Sequence, residues 1–377
     1  MSGHKVVHLT SAHTVFDIRI FAKECRSLAE NGFDVVVVGP HDRDVVVDGV
    51  RVHAVPQPAN RMSRMTRTVW QVFRAAMKEQ AALYHFHDPE LIPAGLLLKL
   101  FGKRVVYDVH ENVPNNILCG NASLPKVCRW GLYVVAKAVE GLAGLSVNGI
   151  VTISDTFAKR FQIRKTCVIR NYPIVAEGDD GPIGRSRYQH QESAVAWTGG
   201  FTNSRCALQI VDAIGLVNNI HSAKLLAAGV VESAKLQQEL KSRHGWQFTE
   251  FRGLVSSDEI REICGVAQVG LAVNVYRPDY TDISTNKLYE YMLAGLPLVV
   301  TRLPSWRRLV DELGVGLVVD SEEPAAIAEA IIWLLEHPAE AEEMGQRGRE
   351  AVMTRFSWEQ ESKKLISFYN TLLPRAA

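Results

Sequence analysis

Short β-branched runs alternate with longer stretches of helical spacing along this chain, and few folds accept that rhythm. Strands covered on both faces read as near-continuous Val, Ile and Leu, and parallel strands need a crossover long enough to hold a helix. In the first half the strand candidates are Lys5 to Thr10, Asp34 to Gly39, Val50 to Val55, Leu83 to His87, Arg104 to Val109, Gly149 to Ser154 and Thr166 to Arg170. In the second they are Ala194 to Thr198, Lys224 to Ala228, Phe248 to Arg252, Val269 to Val275, Leu298 to Thr301 and Gly316 to Val319. The construction occurs twice. At 377 residues the chain exceeds the roughly 250 to 300 residues at which one core stops growing, so two doubly wound α/β domains are expected.

The stretch Ala176 to Glu192, with Gly178, Asp179, Asp180, Gly181, Pro182 and Gly184, suits a linker. It sets domains at 1–176 and 177–356. Trp358 to Leu373 carries Leu365, Phe368, Tyr369 and Leu372 at helical spacing, which predicts a helix packed on a domain surface. The formal charge of +1 gives no global pull toward nucleic acid. Six scattered cysteines form no C-x-x-C pair in a chain too large to need disulfide staples, and Met1 to Lys5 runs straight into a strand with no leader pattern. Both point to the cytoplasm. The most apolar stretch, Gly131 to Ile153, is interrupted by Lys137, Glu140 and Asn148, so no membrane-spanning helix is expected.

Open α/β sheets bind ligands at the carboxyl ends of their strands. The densest polar signal of that kind is Thr281 to Pro297. Ser284, Thr285 or Asn286 can cap a helix that carries Lys287 and Glu290 and stops at Gly295 before Pro297. Its free N–H groups make an anion site, and Lys287 in the first turn is disfavoured by the dipole unless an anion is near. Glu290 can reach a pair of hydroxyls with its two oxygens. The plainer alternative is that Asp282 caps a loop and Glu290 pairs with a local base.

This segment resembles the signature of glycosyltransferase family 4: an acid separated by seven residues from a glutamate, in E-x7-E form, with K-L-x-E-Y-M-x-x-G-x-P-x-V from Lys287 to Val299. The resemblance implies the GT-B fold, two Rossmann-like domains facing a cleft, with the terminal helix 357–377 crossing back onto the first. It implies that Glu290 holds the donor ribose and that Asp282, one methylene shorter than the usual glutamate, contacts the donor sugar. Trp197-Thr-Gly-Gly-Phe-Thr-Asn-Ser-Arg-Cys206 is similar to the family's G-R-x-x-x-x-K-G phosphate loop. Gly199 matches, Gly200 stands for the arginine, Arg205 for the lysine and Cys206 for the glycine. Arg205 keeps a cation able to bind a diphosphate bidentately; an arginine opening a helix is otherwise commonly just solvated.

In the first half, Val105-Val-Tyr-Asp-Val-His110-Glu111-Asn ends a strand, and His110 matches the histidine that the family sets against the donor sugar. A satisfied structural histidine is the alternative. His87-Asp88-Pro-Glu-Leu and Phe16-Asp17-Ile-Arg19 read like a polysaccharide-transferase subgroup, so His13, Asp17, Arg19, His87, Asp88 and Glu111 are acceptor-side candidates. Arg19 reads equally well as a salt-bridged helix residue.

The resemblance implies a retaining transfer with a nucleotide-diphosphate sugar as co-substrate, no metal or other cofactor, and a glycan or lipid-linked acceptor, as in surface polysaccharide synthesis. Two rival classes remain open. A metal-dependent hydrolase can use His85, His87, Asp88, His110 and Glu111, although no H-x-x-E-H spacing is present. A catalytically idle nucleotide-sugar binding module is the other. The basic stripe Arg61, Arg64, Arg67, Arg74 and Lys78, interleaved with Met62, Met65, Trp70 and Phe73, predicts either an ordinary surface helix or peripheral contact through 61–78 with anionic lipid.

Overall fold

A computed structural model of the chain describes residues 3–110, 112–120, 124–175, 193–276 and 285–373. The chain divides into two compact units, Met1–Asn171 with Trp358–Ala377, and Tyr172–Ser357. The expected linker, 176–192, lies outside the described residues.

The first unit holds β1 (Lys5–Leu9), β2 (Asp34–Pro40), β3 (Val45–Val47), β4 (Val50–Val55), β5 (Leu83–Phe86), β6 (Val105–Val109), β7 (Gly149–Thr152) and β8 (Thr166–Val168). Their spatial order is β3-β4-β2-β1-β5-β6-β7-β8, parallel except for the β3–β4 pair. Val6, Val7, Val35 to Val38, Val105 and Val106 are fully buried because helices cover both faces. The antiparallel β3 was not expected. Asp48 (φ 50°) and Gly49 (φ 77°) are both left-handed, as a two-residue hairpin turn requires, and Asp-Gly between β-branched runs is the signal for it.

The second unit holds β9 (Ser193–Thr198), β10 (Ala223–Ala228), β11 (Thr249–Phe251), β12 (Val269–Ala272), β13 (Leu298–Thr301) and β14 (Gly316–Val319), all parallel in the order β11-β10-β9-β12-β13-β14. Several expected strands end early for a local reason. Gly149 does not run to Ser154, for example, because the Ser154 hydroxyl leaves the ladder to accept from Phe157 N–H and cap a helix.

In each sheet the strand order reverses once, beside β1 in the first and beside β9 in the second. At such a switch the flanking loops part and leave a crevice at the carboxyl edge. Thr10 to His13, His87 and Asp88 follow the switch strands β1 and β5; Gly199 and Gly200 follow β9. The terminal helix, Trp358–Leu372, packs on the first unit: Trp358 Nε1 donates to Ser27 Oγ at 2.8 Å, and Tyr369 is fully buried there. Among the described residues no helix is long and apolar enough to cross a membrane.

Candidate functional site

The second unit's edge is built from bare backbone and two cations. Gly199 N–H donates to the Ala228 carbonyl at 2.7 Å, and a Cβ on the neighbouring Gly229 would lie 2.1 Å from Gly199 O, so this approach requires glycine at position 229. The chain then makes a turn, Asn203–Arg205, capped by the Thr202 hydroxyl accepting from Arg205 N–H at 3.2 Å. Cys206 follows in the left-handed region, φ 54°, before the helix Ala207–Val217. A backbone of that hand explains why the resembling loop carries glycine where this chain has Cys206.

From the other side comes the helix Asn286–Leu293, held to the end of β9 by Thr198 N–H donating to Tyr291 Oη at 2.7 Å. Thr285 is its N-cap, but no side chain caps it, so the expected capping bond is absent at Thr285. Lys287 does not reach into solvent. It is buried, its Nζ 3.3 Å from the centroid of the Trp197 ring and without a hydrogen-bond partner among the described residues. Burial, reinforced by repulsion from Arg205, holds its pKa well below the usual lysine range. A Cβ placed on Gly199 would sit 3.5 Å from Arg205 Nη1 and 3.6 Å from Lys287 Nζ, which locates both cations over the same glycine. Glu290 is half-buried one turn further along the helix, and Gly295 ends it at φ 69°. Asp282 and Ser284 lie outside the described residues.

The first unit's edge is a dense polar network instead, in which Glu24 Oε1 and Oε2, His85 Nε2 and His110 Nδ1 are the buried atoms without a hydrogen-bond partner among the described residues. Asp88 is buried; its Oδ2 accepts from Thr10 Oγ1 at 2.8 Å and from Ala12 N–H at 3.0 Å, and its Oδ1 lies 2.6 Å from His13 Nδ1. Burial alone would raise its pKa, but His13 and the backbone donors hold it well below the carboxylate range. Asp17 caps the π-helical segment Ile18–Cys25, accepting from Arg19 N–H at 2.8 Å. That segment turns Arg19 inward, where its Nε and Nη2 donate to Asp108 at 2.8 and 3.1 Å and Nη2 lies 3.2 Å from Glu24. His87 Nδ1 lies 3.1 Å from Asp108 Oδ2, and its Nε2 is 2.9 Å from His8 Nδ1. The Tyr369 hydroxyl lies 3.1 Å from His8 Nε2 and 2.7 Å from His85 Nδ1, which ties the terminal helix into the network. Burial pushes the pKa of His8 and of His85 well below 6.5, so both rings are neutral.

These contacts correct three acceptor-side expectations. Arg19, His87 and Asp88 are buried and satisfied internally, so none presents its side chain to an acceptor; Arg19 is the salt-bridged helix residue of the alternative reading. His13 stays partly exposed, and His110 keeps a 15% exposed side chain whose Nδ1 lies 3.8 Å from Asp108 Oδ2. Burial, only partly offset by the Asp108 charge, pushes His110 down to about 4, so the ring is neutral at pH 7. Glu111 lies outside the described residues. His8, Glu24, His85 and His87, and separately His87, Asp108 and His110, have cation-ligand spacing, with ligand atoms within 4.8 Å. In both sets His87 is already bonded within the network. His8, Glu24, Asp108 and Tyr369 had not been singled out in the sequence; the β1–β5 register, which sets His8 against His85, is what finds the first of them.

Two family models match, one on each unit: the glycosyl transferase 4-like domain over residues 19–167 and glycosyl transferases group 1 over 192–337. The chain is 25% identical over 189 residues to a phosphatidyl-myo-inositol mannosyltransferase of Mycobacterium leprae, covering 49% of this chain and 48% of that one. It is 29% identical over 121 residues, 31% of each chain, to the D-rhamnosyltransferase WbpZ of Pseudomonas aeruginosa. The match thus spans about half or less of these curated relatives. The fold is that of sucrose-phosphate synthase from Thermosynechococcus elongatus, with a TM-score of 0.77 over 98% of this chain and 99% of that one at 19% identity. Anabaena HepE in complex with UDP and glucose gives 0.71 over 98% and 100% at 14% identity. With a matching model on each unit and this fold throughout, the chain belongs to the group 1 glycosyl transferases, of the GT-B, family 4 type.

Proposed function

We propose that this chain moves a sugar from a nucleotide diphosphate donor to a hydroxyl acceptor, and that the loop after β9 and the start of the helix Asn286–Leu293 hold the diphosphate. The observation that carries this reading is the convergence of Arg205 and Lys287 on Gly199. Lys287 has the Trp197 ring beside it but no hydrogen-bond partner among the described residues, so no hydrogen bond there offsets the cost of burying its amine. A diphosphate supplies the missing anion, and the bare glycine edge lets it approach backbone N–H groups. Glu290, one helical turn away, takes the ribose. Gly200, Thr285 and Asn286 complete the donor edge, with Asp282 and Ser284 in the roles the resemblance implies.

Transfer proceeds with retention, the acceptor hydroxyl attacking from the side on which the diphosphate leaves and the leaving group taking its proton. The two cations and the helix end stabilise the departing charge, so no metal is required. At the first unit's edge the neutral His110 is a hydrogen-bonding group for a sugar hydroxyl rather than a fixed charge. Relatives named for transfer to a phosphatidyl-inositol and for D-rhamnosyl transfer support a glycan or lipid-linked acceptor, made at the cytoplasmic face with the stripe 61–78 touching the membrane.

A panel of UDP-, GDP- and dTDP-sugars tests the reading by thermal stabilisation and by donor hydrolysis. A ligand at a hundred times its Kd adds about 2.7 kcal/mol to stability, so the right donor raises Tm and is slowly hydrolysed after exhaustive chelation. Failure of every member to shift Tm, or activity that disappears with a stoichiometric metal, overturns it.

A further inference from the structure

The helix Lys126–Ser146 carries too many charges to cross a bilayer, yet it turns a face without charge to solvent. At about 100° per residue, Val127, Trp130, Val134, Val135, Leu142 and Leu145 fall within an arc of about 140°. All six are exposed, Val127 by 81% and Trp130 by 64%. The other positions in that arc are Gly131, Ala138 and Gly141. A Cβ built on either glycine meets nothing within 4 Å, so among the described residues nothing covers the face.

The opposite side explains how the helix is held. Glu140, Ala143 and Gly144 are its buried positions, and Glu140, its one acidic residue, is turned inward and ion-paired with Arg160. The exposed charges, Lys126 and Lys137, are both positive and lie along one edge of the apolar arc, while the half-buried Arg129 donates to the Leu118 carbonyl. The helix Ile92–Leu100 packs against both this helix and Val69–Glu79, and it ends in exposed Leu100 and Phe101. The Phe101 ring stands 6.2 Å from Phe73, which stands 5.4 Å from the exposed Trp70. Apolar surface thus recurs on three neighbouring helices, rimmed by the exposed cations Arg61, Arg67 and Arg74.

We propose that the face of Lys126–Ser146 lies in the plane of a membrane bearing anionic lipids, with its apolar arc below the headgroups and Lys126 and Lys137 at their level. An in-plane helix needs an apolar arc flanked by cations, and lysine stems can lie along the acyl boundary while their ammonium groups stay in water. A second copy of the chain fits worse, since pairing this face with itself brings its lysines together. The inference stands apart from the donor reading, because no residue of the helix belongs to the donor edge.

Co-sedimentation of the full chain with phosphatidylcholine vesicles, with and without phosphatidylglycerol, tests it. The wild type binds the anionic vesicles, and Val134→Glu/Leu142→Glu lowers that binding at least roughly tenfold by placing charge in the acyl region. Lys126→Gln/Lys137→Gln weakens it about tenfold or more and removes most of the dependence on phosphatidylglycerol. UDP affinity, read by calorimetry, stays the same in both variants and shows that they are folded, so a membrane failure and a donor-site failure are told apart. Wild type that ignores both vesicle types overturns the proposal. So does binding that Val134→Glu/Leu142→Glu retains, or a wild-type dimer that this variant makes monomeric.

Discussion

The two units place polar groups at the same topological position and treat them in opposite ways. Beside β1, both buried aspartates have counterparts: Asp88 has His13 and backbone donors, and Asp108 has Arg19 and His87, while Glu24 lies beside Arg19 without a hydrogen bond among the described residues. Beside β9, two cations approach one glycine, and the buried one has no hydrogen-bond partner among the described residues. A closed network of buried charges is held together by its own members, and removing one leaves another exposed to the low dielectric. An open one is held by the surrounding fold and completed by a ligand. We therefore read the first edge as a scaffold and propose the second as a receptor, although both sit where an open sheet binds ligands.

The largest expected effect breaks the scaffold side. Asp108→Ala strips Arg19 of its bidentate partner and His87 of its neighbour, and removal of one member of a buried ion pair costs about 3 to 5 kcal/mol. Urea denaturation should show that loss, while any folded fraction keeps its affinity for the nucleotide that the donor panel selects. A loss under 1 kcal/mol would mean that Glu24 alone balances Arg19 and that the network is not closed through Asp108.

The receptor side should respond the other way, with chemistry impaired and stability nearly kept. Losing a charge-assisted bond costs about 1.5 to 3 kcal/mol, on the order of tenfold to over a hundredfold in turnover efficiency. Because charge on the leaving diphosphate grows toward the transition state, Arg205→Ala should lower kcat as well as weaken donor binding. Arg205→Lys should recover part of it. Near-normal kinetics in both Arg205→Ala and Lys287→Ala would move the phosphate site elsewhere.

The contrast between the edges was only half legible in the sequence. Period and β-branched runs gave thirteen of the fourteen strands because parallel strands are apolar on both faces, and a three-residue edge strand after a polar loop lacks that mark. Lys287 and Arg205 were found because charge at a helix start is locally unfavourable and so conspicuous. Arg19 and His87 were acceptor-side candidates, with a salt-bridged Arg19 as the alternative, and the choice was not legible because burial of a polar side chain depends on partners far along the chain. Arg19 meets Asp108, 89 positions away, and His85 meets Tyr369, 284 positions away. Nothing local in the sequence marks such a meeting.

A smaller effect sharpens the receptor side through pH. The folded-state pKa of Lys287 is depressed and the ordinary value is 10.5, so between them the unfolded chain binds a proton that the folded chain does not. Stability of the free protein therefore rises with pH across that window and falls as pH drops through the folded pKa. Lys287→Met should flatten that slope. A diphosphate bound there favours the charged amine, so binding of the nucleoside diphosphate that the donor panel selects should take up protons at pH values between the folded pKa and 10.5, seen by calorimetry in buffers of different ionisation enthalpy. Zero uptake would mean that the amine is already charged before the ligand arrives.

The smallest effect concerns the turn that presents Arg205. Among the described residues, Cys206 is the one non-glycine with a left-handed backbone at either carboxyl edge, and it is fully buried. Cys206→Gly relieves about 1 to 2 kcal/mol of left-handed strain. The same change loosens the unfolded chain by about 0.5 to 1 kcal/mol and removes a small buried side chain, so the opposing contributions nearly cancel. Tm should move by only a few degrees, and affinity for the nucleotide that the donor panel selects should hold because the turn keeps its shape. Cys206→Val, with a stiff branched side chain in the same backbone, should lose both stability and affinity. Burial pushes the Cys206 thiol up to about 11, so at neutral pH it is no nucleophile and its loss should leave the chemistry alone. Should Cys206→Gly instead abolish binding of that nucleotide while Cys206→Val spares it, the side chain and not the backbone hand would be what this turn requires.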